Sequence, residues 1–185
     1  MDLSDFDFIK LSPGTNLENF DCDEDEITGF LKEDAKNYQH QRLANTYLFL
    51  KDDKIVAYFS ISNDCLVDRG EEKGFTKTIF NRLHRKESIP NDKRIKQYPS
   101  VKVGRLGVDK KYHGTGIAYQ LMDFIKGICI LDHKPACPAI KFLILDALNK
   151  ERQIKYYQKN GFVFLLDNDS EEENRIMYFN LERLI

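Results

Sequence analysis

The chain has 185 residues, 42% of them hydrophobic, 12% aromatic and 31% charged, with a formal net charge of -2. That length is ample for one domain core and short for two, and the composition is that of a soluble globular chain rather than a disordered, fibrous or membrane one. The near-neutral balance excludes a whole-molecule attraction to nucleic acid, so any such attraction must come from a local patch.

The opening residues MDLSDFDFIKLSPGT are acidic and carry neither a basic n-region nor an apolar h-region. No run reaches the roughly 18 apolar residues of a transmembrane helix, so a cytoplasmic protein with no membrane partner is expected. Cys22, Cys65, Cys129 and Cys137 form no C-x-x-C pair and read as reduced thiols.

Phe8 to Leu11 predicts a short first strand, ended by the turn signal Pro13-Gly14. Ile27, Phe30, Leu31, Ala35 and Tyr38 then recur at steps of three and four, with acidic residues in the first turn, which predicts a helix over 24 to 42. The aromatic and β-branched runs 46 to 50 and 55 to 61, joined by Lys51-Asp52-Asp53-Lys54, predict a hairpin. Residues 69 to 97 break the rhythm and read as an insertion, with a helical candidate at Thr76 to Leu83.

Val101 to Val108 predicts a strand with two interior glycines, Gly104 and Gly107, a pattern that marks a bulge or a ligand's close approach. A glycine stretch, KKYHGTGIA, follows at once and opens an amphipathic helix predicted over 115 to 130. Phe142 to Ala147 predicts a buried strand, Lys150 to Lys159 a helix capped by Gly161, and Phe162 to Leu166 and Ile176 to Leu181 two closing strands around an acidic loop. No repeat or long linker divides the chain, so one α/β or α+β domain is expected over 1 to 185.

Two glycines between strand and helix raise the question of phosphate, because main-chain N–H groups at a helix N-terminus are unpaired and favour an anion. A P-loop needs G-x-x-x-x-G-K-[ST], which Gly114 does not begin, and a dinucleotide fingerprint needs Gly or Ala where Tyr119 stands. A plain tight turn remains the alternative.

The span Val101 to Ile130 resembles motif A of the GNAT superfamily of acetyl-CoA-dependent N-acetyltransferases, a strand, a [RQ]-x-x-G-x-[GA] pyrophosphate loop and a helix. Lys111 stands where that family has Arg or Gln, followed by Tyr112, His113, Gly114, Thr115 and Gly116, and then by Ile117 and Ala118. Asp146 to Asn149 and then Tyr156-Tyr157-Gln158-Lys159-Asn160-Gly161-Phe162 resemble motif B. Upstream, Phe20-Asp21-Cys22, Phe30-Leu31, Ala35, Gln39 and Thr46-Tyr47, with Gly104 to Asp109, are similar to a GNAT branch that includes aminoacyl-tRNA-acetylating toxins of toxin–antitoxin pairs.

The resemblance implies a mixed, mostly antiparallel sheet flanked by helices, with a splayed fourth and fifth strand. It implies acetyl-CoA as cosubstrate, its pyrophosphate on residues 111 to 118, and its thioester carbonyl polarised by main-chain N–H groups near Leu106 and Val108. It further implies Tyr157 as the acid for the departing thiolate and Asn149 as a contact to the cofactor arm. Bland roles stand beside these: a packed helix tyrosine for Tyr157, an N-cap for Asn149, a solvent-facing position for His113. The resemblance implies a primary amine as acceptor; the branch adds aminoacyl-tRNA and a ribbon-helix-helix antitoxin, is compatible with a homodimer, and leaves a non-catalytic acyl-CoA-binding module as a further alternative.

Cys129, His133 and Cys137 are spaced four apart, but Pro135 interrupts the face and three ligands fall short of a structural zinc set, so no metal is expected. Residues 69 to 97 hold nine Lys or Arg against four Asp or Glu, a local +5 that leaves -7 for the rest of the chain. A solvated insertion and a surface for tRNA phosphates both fit that asymmetry.

Overall fold

The computed structural model describes residues 1–67, 97–131, 138–167 and 169–185. The basic insertion, with its helical candidate, and His133 and Cys137 lie outside the described residues. Two compact units partition the chain, Met1–Asn63 with Val103–Ile128, and Asp64–Lys102 with Cys129–Ile185. Among the described residues a seven-stranded sheet has the order β1 (Asp7–Lys10), β2 (Asn45–Lys51), β3 (Lys54–Val67), β4 (Gln97–Val108), β5 (Phe142–Leu148), β7 (Asn174–Asn180), β6 (Val163–Phe164), mostly antiparallel, with β4 and β5 parallel.

In the first unit, β1 (Asp7–Lys10) pairs antiparallel with β2 (Asn45–Lys51), and β2 pairs with β3 (Lys54–Val67). Their hairpin turns through Asp52 and Asp53, both left-handed at φ 49° and 58°. A two-residue turn of that hand matches the twist of the flanking strands, and Asp tolerates it better than most side chains. Successive residues face opposite sides, so Leu48 and Tyr58 look one way and Phe49 and Phe59 the other.

Toward the first side pack Leu31 and Ala35, both fully buried, with Leu11, Leu17 and Phe20. Leu31 and Ala35 belong to a helical segment of three parts: α1 (Asp25–Gly29), a π-helical turn at Phe30–Asp34, and α2 (Ala35–His40). The expected single helix is therefore present, with one wider turn that the three-and-four spacing does not signal. Against the other side lies α3 (Ile117–Ile130), whose Phe124 ring sits 5.1 Å from Phe49 and 4.7 Å from Phe8. Both faces are covered, which is why β2 and β3 read as near-continuous apolar runs.

Within the second unit, β5 (Phe142–Leu148) runs antiparallel to β7 (Asn174–Asn180), from Phe142 opposite Asn180 to Leu148 opposite Asn174. Leu66, Tyr98, Phe142, Ile144, Leu165 and Tyr178 form its core. The helix α4 (Glu151–Lys159) ends at Gly161, where φ is +80° and a Cβ would stand 3.0 Å from the Phe179 ring. The strand expected at Phe162 to Leu166 is shorter: only Val163–Phe164 pair with β7, as β6.

The strand β4 (Gln97–Val108) begins four residues before the expected start, and β3 continues past Ile61 to Val67. Parallel pairing of β4 with β5 takes in Ser100 to Lys102 and stops there, although both strands continue. Among the described residues no helix is long and apolar enough to cross a membrane.

Candidate functional site

Strand β4 ends at Val108, and the chain turns through a 3-10 turn at Lys110–Tyr112 before two left-handed glycines, Gly114 at φ +76° and Gly116 at +85°. Helix α3 starts at Ile117 rather than 115, because the left-handed Gly116 cannot be part of it. A Cβ built on Gly114 or Gly116 meets nothing within 4 Å, so these glycines are required by backbone conformation and not by crowding.

The loop's own hydrogen bonds show what remains for a ligand. Tyr112 N–H donates to Asp109 O at 2.8 Å, His113 N–H to Lys110 O at 3.3 Å and Thr115 N–H to Tyr112 O at 3.4 Å. The Thr115 hydroxyl donates to Tyr112 O at 2.6 Å. The N–H groups of Gly114, Gly116 and Ile117 have no partner among the described residues. Three unpaired donors at the positive end of a 14-residue helix, with open space over both glycines, fit a pyrophosphate.

Lys111 is exposed and forms no ion pair with any described residue, whereas Lys110 is tied to Asp21 at 2.6 Å. The His113 ring is exposed at the loop's edge, and its Nε2 lies 2.9 Å from the Val108 carbonyl, which makes Nε2 the donor. His113 thus braces the loop against the end of β4, a contact the sequence did not indicate. Ala118 continues the first turn of α3 behind the buried Ile117.

Arg105 and Gly107 occupy the face of β4 opposite to Leu106 and Val108. Arg105 pairs with Glu26 at 2.8 Å and lies over the Phe30 ring at 5.3 Å. A Cβ on Gly107 would stand 2.9 Å from both Ile27 and Tyr58 and 3.0 Å from Phe20. The close approach that this strand glycine permits is therefore by the protein's own side chains, not by a ligand. Beside Gly104 the nearest atom to such a Cβ is the Ser60 carbonyl at 3.8 Å, and the site is otherwise open.

One residue of this region carries no role in the sequence reading and is prominent in the structure. Asp109 is 3% exposed, caps Lys111 N–H at 3.1 Å and accepts from Asp21 N–H at 3.2 Å. The signal was an Asp directly before a turn, an ordinary capping position.

In the second unit, Tyr157 lies on α4, half-buried, its ring 5.1 Å from Tyr156 and 6.0 Å from Phe162. Its hydroxyl has no hydrogen-bond partner among the described residues. Burial pushes its pKa above the usual 10.0, so the phenol keeps its proton across the neutral range. A protonated phenol with an uncommitted hydroxyl has a proton to donate, while the raised pKa makes it a weaker acid than an exposed tyrosine.

Asn149 does not cap α4; the cap position is Lys150, which makes no side-chain cap bond. Instead the Asn149 amide donates to Ser170 O at 2.7 Å and Glu172 O at 3.0 Å, and its main-chain N–H to Glu173 O at 2.9 Å. The acidic loop it holds is anchored again by the buried pair Asp169–Arg175 at 2.7 Å, with Arg175 stacked 3.5 Å over Phe164. Among the described residues no group of His, Cys, Asp or Glu could hold a metal ion.

The family model of the acetyltransferase (GNAT) domain matches residues 42–164. Among solved structures, AtaT complexed with acetyl-methionyl-tRNAfMet is similar over 97% of this chain and 96% of its own, at 20% identity and a TM-score of 0.70. A tyrosine-to-phenylalanine mutant of KacT is similar over 97% and 99%, at 22% identity and 0.68. A tyrosine-to-phenylalanine mutant of the AtaT toxin, bound to the C-terminus of the antitoxin AtaR and acetyl-CoA, is similar over 97% and 95%, at 18% identity and a TM-score of 0.66.

Proposed function

The chain belongs to the GNAT acetyltransferase family, and on that premise we propose that it transfers the acetyl group of acetyl-CoA to a primary amine by direct attack in a ternary complex. The single domain spans 1 to 185 with a basic insertion at 69 to 97, and it works in the cytoplasm. The observation that carries the donor's placement is the set of three unpaired N–H groups at Gly114, Gly116 and Ile117, ahead of α3.

Acetyl-CoA supplies an activated acyl group as a thioester. The glycine loop binds its pyrophosphate through main-chain donors, which makes Lys111 in place of Arg or Gln a small change. Lys111 adds positive charge at the loop's rim, and His113 keeps the loop against β4. Main-chain N–H groups near Leu106 and Val108 polarise the carbonyl, as donors aimed at developing charge do. Tyr157 holds a proton at its hydroxyl for the departing sulfur. Asn149 contacts the arm through Oδ1, its amide N–H groups being engaged by the acidic loop.

For the acceptor, a second reading is favoured by the full-length similarity to AtaT complexed with acetyl-methionyl-tRNAfMet and by the +5 charge of residues 69 to 97. In that reading the amine is the α-amine of an aminoacyl-tRNA. An α-amine titrates near ~7.7 to 8.0, against ~10.4 for lysine, and so needs little help from a base. A ribbon-helix-helix antitoxin is then the protein partner, with a homodimer as the assembly.

The test is acetyl-CoA consumption, read as thiol release, against small amines, peptides and charged tRNAs. Acetyl transfer to charged tRNA, with salt-sensitive tRNA binding, supports the toxin reading. Turnover on a small amine or peptide without tRNA binding returns the acceptor to that class. Acetyl-CoA binding without transfer to any acceptor would leave a non-catalytic module.

A further inference from the structure

Asp109 holds a buried carboxylate a few residues before an anion site, where its charge opposes the ligand. It pairs with no cation among the described residues. Its neighbour Lys110 is the residue paired to Asp21. A buried charge of this kind is tolerated only when hydrogen bonds compensate its desolvation.

Two such bonds reach the carboxylate and two more tie the Asp109 main chain, and together they reach three separate segments. The Asp109 N–H donates to Val56 O in β3 at 2.8 Å, and its carbonyl accepts Tyr112 N–H at 2.8 Å. One carboxylate oxygen accepts Lys111 N–H at 3.1 Å and the other Asp21 N–H at 3.2 Å. Lys110 N–H returns a bond to Asp21 O at 2.8 Å, so the segment before α1 and the start of the loop are joined reciprocally.

We propose that Asp109 is a positioning residue for the anion site: it fixes where the chain leaves β4, and thereby where the Gly114, Gly116 and Ile117 donors point. The inference rests on the reading that those donors take the pyrophosphate. Asp109 itself touches no ligand, and its effect runs through the Lys111 and Asp21 amides. Placement matters because a hydrogen bond weakens steeply once its donor is misdirected.

Charge and position predict opposite signs. Asp109→Ala and Asp109→Ser both remove the negative charge, but only Ser keeps an oxygen for Lys111 N–H, a cap nearly as good as Asp. Coenzyme A affinity is measured by calorimetry on the full chain, with melting to confirm folding. Asp109→Ala should weaken coenzyme A about tenfold or more, while Asp109→Ser stays within about threefold of the parent. The KM for acetyl-CoA should rise with Ala while saturated kcat holds.

Unchanged or tighter binding by Asp109→Ala, or an equal loss in both variants, overturns the proposal. Should Asp109→Ala fail to fold, Asp109→Asn stands beside Ser: both lose the charge and keep one oxygen for Lys111 N–H, so both should stay within about threefold of the parent, and tighter binding or a tenfold loss in both overturns the proposal. Gly116→Asp serves as control: retained coenzyme A affinity there overturns the pyrophosphate placement and this inference with it. A loss in Gly116→Asp with none in Asp109→Ala overturns the inference alone.

Discussion

In the unit that carries the glycine loop, the groups proposed to act on the donor are main-chain N–H groups, while in the other unit they are side chains, the Tyr157 hydroxyl as acid and Asn149 as a contact to the arm. The difference governs what substitution can do. Main-chain donors survive a change of side chain so long as φ is kept, which is why Lys111 can stand where a relative has Arg. Side-chain chemistry is lost with a single atom, and Tyr157 should be the most sensitive position in the chain.

Tyr157→Phe removes the hydroxyl and keeps the ring contacts to Tyr156 and Phe162. Turnover should fall by about 10²-fold, the scale of acid–base assistance, with acetyl-CoA affinity retained. Burial raises the Tyr157 pKa, so its acid form persists as pH rises past 10.0. The parent's rate should therefore show no alkaline loss assignable to this group below that pH. Equal turnover by the two proteins, with chemistry rate-limiting, would remove Tyr157 from the mechanism.

On the main-chain side, Gly116→Asp imposes a side chain at φ +85° and adds a negative charge beside the donors. Left-handed backbone alone costs about 1–2 kcal/mol, so coenzyme A binding should weaken tenfold or more. Because nothing lies within 4 Å of a Cβ there, no packing loss adds to that backbone strain, and stability should fall by no more than about 1–2 kcal/mol. Gly107→Ala should do the reverse. Its Cβ would press on Ile27, Tyr58 and Phe20, and overpacking costs about 1–3 kcal/mol of stability, while coenzyme A affinity of the folded protein holds. A Gly107→Ala protein that is stable but fails to bind would blur the division between packing and binding glycines.

Those two glycines also mark what the sequence could and could not disclose. Gly114 and Gly116 were legible because a turn between strand and helix needs positive φ whatever surrounds it. Gly107 read as marking either a bulge or a ligand's approach, and the sequence could not show that protein side chains crowd it, since Phe20 and Ile27 come from 80 or more positions away. The hairpin at Asp52-Asp53 followed from local turn chemistry, but β3 runs on through the polar Ser62, Asn63 and Asp64, which alternation would place outside a strand. The branch pattern of Phe20, Leu31 and Ala35 proves to be fully buried core, and the Gln39 side chain joins Leu11 O to Thr46 N–H. Those residues specify the scaffold and do not touch the question of the acceptor. Asp109 was hidden for a related reason: a capping residue is common in sequence, and only the reciprocal bonds to Asp21 give it weight.

The smallest effect concerns Asn149, where one side chain has two proposed duties. Its amide N–H groups hold Ser170 O and Glu172 O, and its Oδ1 is assigned to the cofactor arm. Asn149→Asp keeps an oxygen and loses both N–H donors; Asn149→Ala loses everything. One hydrogen bond is worth about 0.5–1.5 kcal/mol, so Ala should weaken coenzyme A roughly two- to tenfold and lower stability by a similar energy. Asp should lower stability at least as much, since its carboxylate would face two carbonyl oxygens, yet keep coenzyme A affinity, because the arm contact needs only an acceptor. Calorimetry and melting on the pair separate the duties. If Asp loses affinity as Ala does, the N–H groups matter to the donor and the acidic loop belongs to the site; if neither variant loses affinity, Asn149 serves the loop alone, and side-chain contribution from this unit reduces to Tyr157.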